Sequence, residues 1–268
     1  MNKYLEEIQN TTTPQGTAAL WWLGQMGFII KMGQTVIAVD YFASDDIERL
    51  ARAPIPAKEM EGIDAYLGTH NHLDHIDHDA WKIWAGDQKP KFIFPRAHME
   101  SVLADGVKRE NAVGLNDGES VTIGDITITA VAASHEFLDQ DPETGLFPYL
   151  QYIIEGNGVR IHHAGDSVRY EGMLPKIKSY GQIDAEILPI NGRDAVRYRD
   201  NCIGNMTYQE AADFAAEVGT RLVIPGHFDM FAHNGEDPKR FADFIDAKYS
   251  GRLTCHIPDY MDKIIVKA

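Results

Sequence analysis

Residues 70–78 bring together side chains of the types that bind metal ions. The apolar run Ala65–Gly68 is followed by His70, His72, Asp74 and His75, in the spacing H-x-H-x-D-H. Crowded imidazoles repel one another once protonated, and each buried ring nitrogen needs a partner. A divalent cation removes this difficulty, because neutral imidazole and carboxylate groups are ligands for Zn, Mn and Fe. The pattern therefore predicts a metal site just beyond a strand, in preference to a solvated histidine-rich loop.

Three more candidate ligands come shortly after other apolar runs. They are His135 after residues 131–133, Asp166 after residues 159–163, and His227 after residues 221–224. Taken alone, either histidine would more often be a hydrogen-bonded structural residue. Their common place at predicted strand ends, together with the cluster at residues 70–75, instead predicts that they converge on one metal centre.

The elements that position these residues are read from hydrophobic periodicity. A hairpin is predicted at Gly124-Asp125, between two alternating runs. Strands are predicted at Leu20–Leu23, Phe28–Lys31, Thr35–Asp40, Ala65–Gly68, Lys91–Phe94, Val121–Ala133, Leu150–Glu155, Val159–His163, Ala185–Ile190, Arg221–Ile224 and Lys263–Val266. Helices are predicted at Asp45–Arg52, Asp79–Ala85 and Ala97–Ala104, from a capping box at Thr207 to Gly219, and from Asp237-Pro238 to Tyr249. We therefore expect layered sheets flanked by helices, antiparallel-rich early on, in one domain over residues 1–268.

Composition excludes several classes of function. The 268 residues carry 25 basic and 40 acidic side chains, a net charge of −15, which argues against binding nucleic acid through a basic surface. Two cysteines, Cys202 and Cys255, are too few for a disulfide framework or a cysteine-rich zinc module. The N-terminus lacks a signal-peptide pattern, and the apolar stretch Ala19–Ile30 is too short to span a bilayer. A cytoplasmic protein that binds no membrane is expected, and homo-oligomer formation stays open.

Five segments in this order resemble the metallo-β-lactamase-fold hydrolases, and most of all their L-ascorbate-6-phosphate lactonase family. The resemblance implies an α+β fold, a four-layer αββα sandwich with the metal site at the strand ends along one edge. It also implies two adjacent metal sites, with Asp166 bridging them. The segments are Trp22–Gln25, Val36–Tyr41, Thr69–Asp77, His163–Ser167 and Val223–Asp229. The implied ligands are His70, His72 and His135 for the first site and Asp74, His75 and His227 for the second.

These ligands favour a hydrolase that uses metal-activated water. One or two divalent ions (Zn, Mn or Fe) are the expected cofactors, and Asp74 is either a ligand or, with one ion, the catalytic base. The expected substrate is a small ester or lactone, anionic and including phosphorylated sugar-acid lactones. A phosphodiesterase acting on small substrates and a metal-binding protein without catalysis are the alternatives. A flavin-linked di-iron oxidoreductase would need an acidic ligand and a flavin domain that the sequence lacks.

Other residues are candidates for supporting roles. Asp40 ends a predicted strand and could hold a ligating histidine by its free N–H, or serve as a turn residue. Asp77 could support the ligand loop or cap the next helix. Asn191 and Arg193 follow the run Ala185–Ile190, and Arg193 could pair with a substrate phosphate or carboxylate. The loop of residues 137–147 is expected to wall the substrate pocket.

Overall fold

The computed structural model describes residues 2–87 and 89–268. Within these residues the chain forms fourteen strands, seven α-helices and two short 3-10 helices, at Ala57–Glu59 and Arg96–His98. The strands are β1 (Thr17–Gly24), β2 (Gly27–Met32), β3 (Thr35–Val39), β4 (Ala65–Leu67), β5 (Lys91–Pro95), β6 (Ala112–Leu115), β7 (Ser120–Ile123), β8 (Ile126–Ala132), β9 (Leu150–Gly156), β10 (Val159–His163), β11 (Ala185–Pro189), β12 (Leu222–Gly226), β13 (Thr254–Cys255) and β14 (Lys263–Lys267). The helices are α1 (Lys3–Asn10), α2 (His78–Trp84), α3 (Met99–Ala104), α4 (Met173–Lys178), α5 (Ala195–Arg199), α6 (Tyr208–Val218) and α7 (Pro238–Tyr249).

The strands form two mixed sheets of the same design. The first has the order β14-β1-β2-β3-β4-β5-β6, antiparallel from β14 to β3 and parallel from β3 to β6. The second has the order β13-β12-β11-β10-β9-β8-β7, parallel from β13 to β10 and antiparallel from β10 to β7. The expected antiparallel-rich early sheet is thus correct for β1–β3 only.

Three hydrophobic clusters separate four layers. The central cluster joins the inner faces of both sheets and includes Phe28 from β2 and Tyr152 from β9. A second cluster packs α1, α2 and α3 on the outside of the first sheet, with Trp81 fully buried. A third packs α4, α6 and α7 on the outside of the second sheet around Phe214 and Phe241. The predicted αββα sandwich is confirmed.

Most predicted elements are also confirmed. The Gly124-Asp125 turn pairs Ile123 with Ile126. Thr207 and Glu210 form the expected capping box at the start of α6. Five elements were not predicted: α1, α4, α5, β6 and β13, which have eight residues or fewer and therefore little periodicity.

The predicted helix over Asp45–Arg52 is wrong. Residues 47 and 48 form a turn, and Arg49 makes an isolated antiparallel bridge with Phe231. The Asp46 carboxylate accepts a hydrogen bond from the backbone N–H of Glu48, a local bond that competes with helix formation. The Arg49 guanidinium donates to three carbonyl oxygens of the same loop. The bridge to Phe231 and these hydrogen bonds within the loop therefore replace the expected helix.

Strand direction brings the candidate ligands to one edge of the sandwich. β3 and β4 are parallel, and their carboxyl ends lead into Asp40 and the loop of residues 68–77. β8, β10 and β12 run in a common direction and lead into His135, Asp166 and His227. Loops at the carboxyl ends of strands are the usual place for binding sites in open sheets.

None of the helices in the described ranges has the length and apolar character that crossing a membrane would require.

Candidate metal centre

Three imidazoles form the first cluster, and they come from both sheets. The Nε2 atom of His70 lies 2.9 Å from Nδ1 of His72. The ring of His135 lies 5.2 Å from that of His70 and 5.0 Å from that of His72, centroid to centroid. One nitrogen from each falls within 4.8 Å of the others. His70 and His135 are buried, whereas His72 is exposed to the cavity described below.

The second cluster combines a carboxylate with two imidazoles. The Oδ2 atom of Asp74 lies 3.6 Å from Nε2 of His75 and 3.5 Å from Nε2 of His227. Asp166 lies between the two clusters, with Oδ1 3.2 Å from His75 Nε2 and Oδ2 3.1 Å from His227 Nε2. The same Oδ2 is 3.7 Å from Nε2 of His135, in the first cluster. All seven side chains predicted as ligands are therefore brought together.

A glycine makes the approach of Asp166 feasible. Gly165 has φ of +54°, and a Cβ at this position would lie 2.8 Å from the side chain of Thr69. Only glycine satisfies both conditions without displacing the loop that carries His70. The absence of a side chain at Gly165 therefore lets the Asp166 loop lie against the loop that carries His70.

The unpartnered polar atoms of the centre fit a bound divalent cation. The buried atoms Nε2 of His75 and Oδ1 of Asp166 lie 3.2 Å apart inside the centre, and neither has a hydrogen-bond partner. Leaving buried polar atoms unsatisfied costs roughly 1–3 kcal/mol each, so such atoms rarely accumulate without a purpose. A donor set of imidazole nitrogens and carboxylate oxygens suits Zn, Mn or Fe.

Electrostatics distinguishes the two clusters. Burial lowers the pKa of all three imidazoles of the first cluster, and neighbouring imidazoles add to the effect. Burial also opposes protonation of His75 and His227, but the Asp166 carboxylate, helped by Asp40 and Asp74 at His75 and by Asp74 at His227, outweighs it and raises the pKa of both rings. Burial would raise the pKa of Asp166, yet the His227 and His75 imidazoles hold that pKa well below its usual value. The first cluster is thus neutral, the form in which imidazole coordinates a metal.

Asp40 orients one of the candidate ligands. Its Oδ2 accepts from Nδ1 of His75 at 2.7 Å and from Oγ1 of Thr69 at 2.8 Å, and its Oδ1 accepts from the Thr69 N–H at 2.8 Å. When the ring is neutral, a proton held on Nδ1 leaves the lone pair on Nε2 of His75, directed at the centre. This is the geometry predicted for Asp40.

Asp77 supports the loop that bears the ligands. Its carboxylate accepts from the N–H groups of Ala43 and Ser44 and from the Ser44 hydroxyl, at 2.7–2.9 Å. It also caps α2 by accepting from the Ala80 N–H at 3.1 Å. Both roles considered for Asp77 are therefore present together, and both lie outside the ligand clusters.

The backbone is strained around the centre. Among the described residues, six non-glycine residues have positive φ, and three of them lie here: Gln25 at 52°, Asp40 at 47° and His227 at 55°. Such conformations persist only where surrounding contacts impose them, and they concentrate at functional sites.

A cavity of about 320 Å³ opens onto the two clusters. The ligands His72, Asp74, His135, Asp166 and His227 form part of its lining. Within the described part of the chain, no lysine or arginine lines this cavity. The remaining walls are Asp46, Glu48, Leu73, Asn201, Cys202, Ile203, Phe231, His233 and Asn234.

The residues predicted to bind substrate do not line this cavity. The Arg193 guanidinium donates to both carboxylate oxygens of Glu210, at 2.7 Å each, and to the carbonyl oxygen of Asn205 at 2.9 Å. Asn191 is buried and donates to Oδ1 of Asn234 at 2.8 Å, so it supports a wall residue from behind. The structure thus gives Arg193 a structural contact in place of the expected substrate contact.

The loop of residues 137–147 is likewise not a wall of this cavity. Residues 139–141, 144 and 146 line a separate cavity of about 560 Å³, together with Tyr149. The Tyr149 ring lies 5.4 Å from the rings of His70 and His135, so it separates that second cavity from the first cluster. Nothing in the sequence singled out Tyr149.

Gln25 is the other residue that sequence analysis did not assign. Its amide Nε2 lies 3.0 Å from Oδ2 of Asp74 and 3.3 Å from Nε2 of His227. The available signal was a polar residue in the otherwise apolar stretch Ala19–Ile30, within a segment that carries the family resemblance.

Known proteins share this fold over most of the chain. A solved metallo hydrolase from Ignicoccus hospitalis superposes with a TM-score of 0.74 at 19% identity, covering 94% of this chain and 99% of that one. A structure described as a "possible metal-dependent hydrolase", from Veillonella parvula, gives a TM-score of 0.75 at 15% identity, covering 95% and 99%. At these identities the likeness concerns the fold.

Sequence relatives point the same way. A protein of Escherichia fergusonii described as a "probable L-ascorbate-6-phosphate lactonase" is 27% identical over 278 aligned positions, covering 87% of this chain and 76% of that protein. Residues 38–228 match the family model described as "Beta-lactamase superfamily domain", a span that contains all seven candidate ligands. This match, with the shared αββα fold, shows that the chain belongs to the metallo-β-lactamase superfamily of hydrolases, as its sequence resemblance predicted.

Proposed function

We propose that the protein hydrolyses a small ester or lactone with the help of one or two divalent ions, Zn, Mn or Fe. The observation that carries this proposal is the convergence of five imidazoles and two carboxylates at the floor of one cavity. His70, His72 and His135 would hold one ion, Asp74, His75 and His227 a second, and Asp166 would contact both. When bound, such ions supply Lewis acidity and lower the pKa of water to near neutrality.

The protein side chains have distinct tasks in this proposal. Asp166 joins the clusters, since its two oxygens face histidines of both. Asp40 keeps the proton on Nδ1 of His75, so that Nε2 stays available. Asp74 lines the cavity and is partly exposed there. With an ion in the first cluster alone, Asp74 would be the side chain placed to accept a proton from water in the cavity.

The cavity walls favour an uncharged substrate with an apolar portion. Leu73, Ile203 and Phe231 supply apolar surface, and Asp46 and Glu48 supply negative charge. A phosphate is normally bound by arginine, lysine or backbone N–H groups, and two carboxylates at the wall would repel it. We therefore retain the lactone or ester chemistry expected from the sequence and replace the expected anionic or phosphorylated substrate with a neutral one. The cytoplasmic location and the single domain stay as predictions. Homo-oligomer formation stays open.

The test is metal analysis of the purified protein followed by a substrate panel. The panel contains neutral lactones and esters, phosphorylated lactones, thioesters and small phosphodiesters. We expect one or two equivalents of Zn, Mn or Fe and turnover of neutral lactones or esters. An Asp74→Asn variant should lose at least about 100-fold in turnover, in line with the removal of a ligand or general base. Asp79→Asn is the matched control, because this exposed carboxylate forms an ion pair with Lys82 on α2.

The outcomes separate the competing functions. Turnover of phosphodiesters alone would replace the proposal with a phosphodiesterase. Full metal loading without turnover of any class would favour a metal-binding protein without catalysis. A protein that retains no divalent ion at all would refute the proposed centre itself.

A further inference from the structure

Gln25 occupies a position that an ordinary turn would give to a smaller residue. It lies between β1 and β2, next to an irregularity in their register, with φ of +52°. Gln25 is only 1% exposed, and its side-chain oxygen Oε1 has no hydrogen-bond partner. Glycine or asparagine adopts this backbone conformation more easily, and a buried amide needs partners to offset its desolvation. Turn geometry alone does not account for a buried glutamine here.

The contacts of Gln25 are with two candidate ligands of the second cluster. Its Nε2–H donates to Oδ2 of Asp74 at 3.0 Å, the oxygen that faces His75 and His227. Among residues 2–87 and 89–268, those two imidazoles and this amide are the partners found for the Asp74 carboxylate. Asp40, by contrast, accepts three hydrogen bonds, from the Thr69 N–H, the Thr69 hydroxyl and the His75 imidazole. The orientation of Asp74 therefore depends on Gln25.

The backbone of Gln25 is held as firmly as its side chain. The Gln25 N–H donates to Oδ1 of Asp229 at 3.0 Å, and the hydroxyl of Tyr260 donates to the other oxygen of that carboxylate. The Gln25 carbonyl oxygen accepts from the Trp22 indole at 3.0 Å and from the His227 N–H at 3.1 Å. Both residues have positive φ. Because the His227 N–H donates to the Gln25 carbonyl oxygen, displacement of one backbone would displace the other.

We propose that Gln25 is a positioning residue for the second cluster, which keeps Asp74 turned towards His75 and His227. This inference rests on the proposed function, because it assumes that the second cluster binds a divalent ion. The neutral amide donates a hydrogen bond without adding charge to a site that already holds carboxylates. Outer hydrogen bonds of this kind change metal affinity by about 10- to 100-fold in other proteins.

The test is calorimetric titration of Zn²⁺ into chelator-treated protein, with Gln25→Met as the variant. Methionine keeps the length of the side chain and removes the donor. We expect the affinity of the first cluster to stay unchanged and that of the second to fall about tenfold or more. The same substitution in a His135→Ala background, where only the second cluster keeps all its side chains, assigns the affected site.

Gln151→Met is the matched control. Gln151 is fully buried and bonds the Ala132 carbonyl oxygen and His162, neither of which is a candidate ligand. This control should lower the melting temperature without weakening the second cluster selectively. Equal affinities in wild type and Gln25→Met would overturn the inference and leave the proposed function intact. Equal weakening of both clusters would overturn it in favour of a purely structural role, and wild-type protein that binds no Zn²⁺ would overturn the proposed function as well.

Discussion

Replacement of Asp40 by asparagine tests how the protein prepares its second cluster. Asp40 is fully buried at φ of +47°. Asparagine is one of the few residues other than glycine that tolerate this conformation, so the backbone should persist. The variant exchanges a charged acceptor of three hydrogen bonds for a neutral amide, and the contact with Nδ1 of His75 loses its charge-assisted character.

The expected loss follows from the contact with His75. Outer carboxylate–histidine bonds are worth roughly 10- to 100-fold in metal affinity, which corresponds to about 1.4–2.8 kcal/mol. We expect the second cluster to weaken by this amount in a chelator competition assay, while the first cluster keeps its affinity. Turnover at limiting metal should fall in parallel.

Asp184→Asn provides the comparison. The Asp184 carboxylate accepts from the Arg160 N–H at 2.8 Å at the start of β11, at the opposite end of that strand from the metal centre. It should change stability slightly and metal affinity not at all. An affinity of the second cluster in Asp40→Asn within twofold of wild type would refute the role of Asp40 in orienting His75.

Three further outcomes are expected. Removing metal with a chelator should lower the melting temperature by about 5–10 °C relative to protein at about 100 Kd of free metal, measured by calorimetry; an unchanged temperature would contradict metal binding to the folded state. Asp46→Lys should lower KM for phosphorylated lactones several-fold relative to neutral ones, and less so at high salt; an unchanged KM ratio would show that the cavity wall does not select by charge. Phe214→Ala should cost about 3–5 kcal/mol in urea unfolding while metal stoichiometry stays the same, because this fully buried side chain of α6 packs in the outer cluster, which contains none of the candidate ligands.

The convergence of the candidate ligands could be predicted because its physical cause is local. A buried strand followed at once by imidazole or carboxylate groups is a costly pattern unless the groups have a partner, and His135, Asp166 and His227 each follow such a strand. Parallel strands then bring these ends to one edge. The alternation of strands and amphipathic helices predicted layered sheets flanked by helices, and the four-layer αββα order came from the family resemblance.

The cavity was not predictable, because its walls come from segments that meet only in the folded chain. Phe231 reaches the wall through its bridge with Arg49, a pairing that also replaced the predicted helix at residues 45–52. Arg193 has the charge for binding an anionic substrate and follows a strand, but its guanidinium pairs with Glu210. The Glu210 carboxylate also takes part in the capping box of α6. Sequence alone shows which side chains are available for a contact and leaves open which partner each one takes.

The origin of the ligands in two different sheets has a consequence for folding. Each cluster takes two side chains from the loop after β4 and a third from the opposite sheet, His135 for one and His227 for the other. An ion in either cluster would therefore act as a clamp across the seam between the halves of the sandwich. Because neither half holds a complete set, tight metal capture has to wait until the two halves have docked, and any later parting of the seam would release the ion.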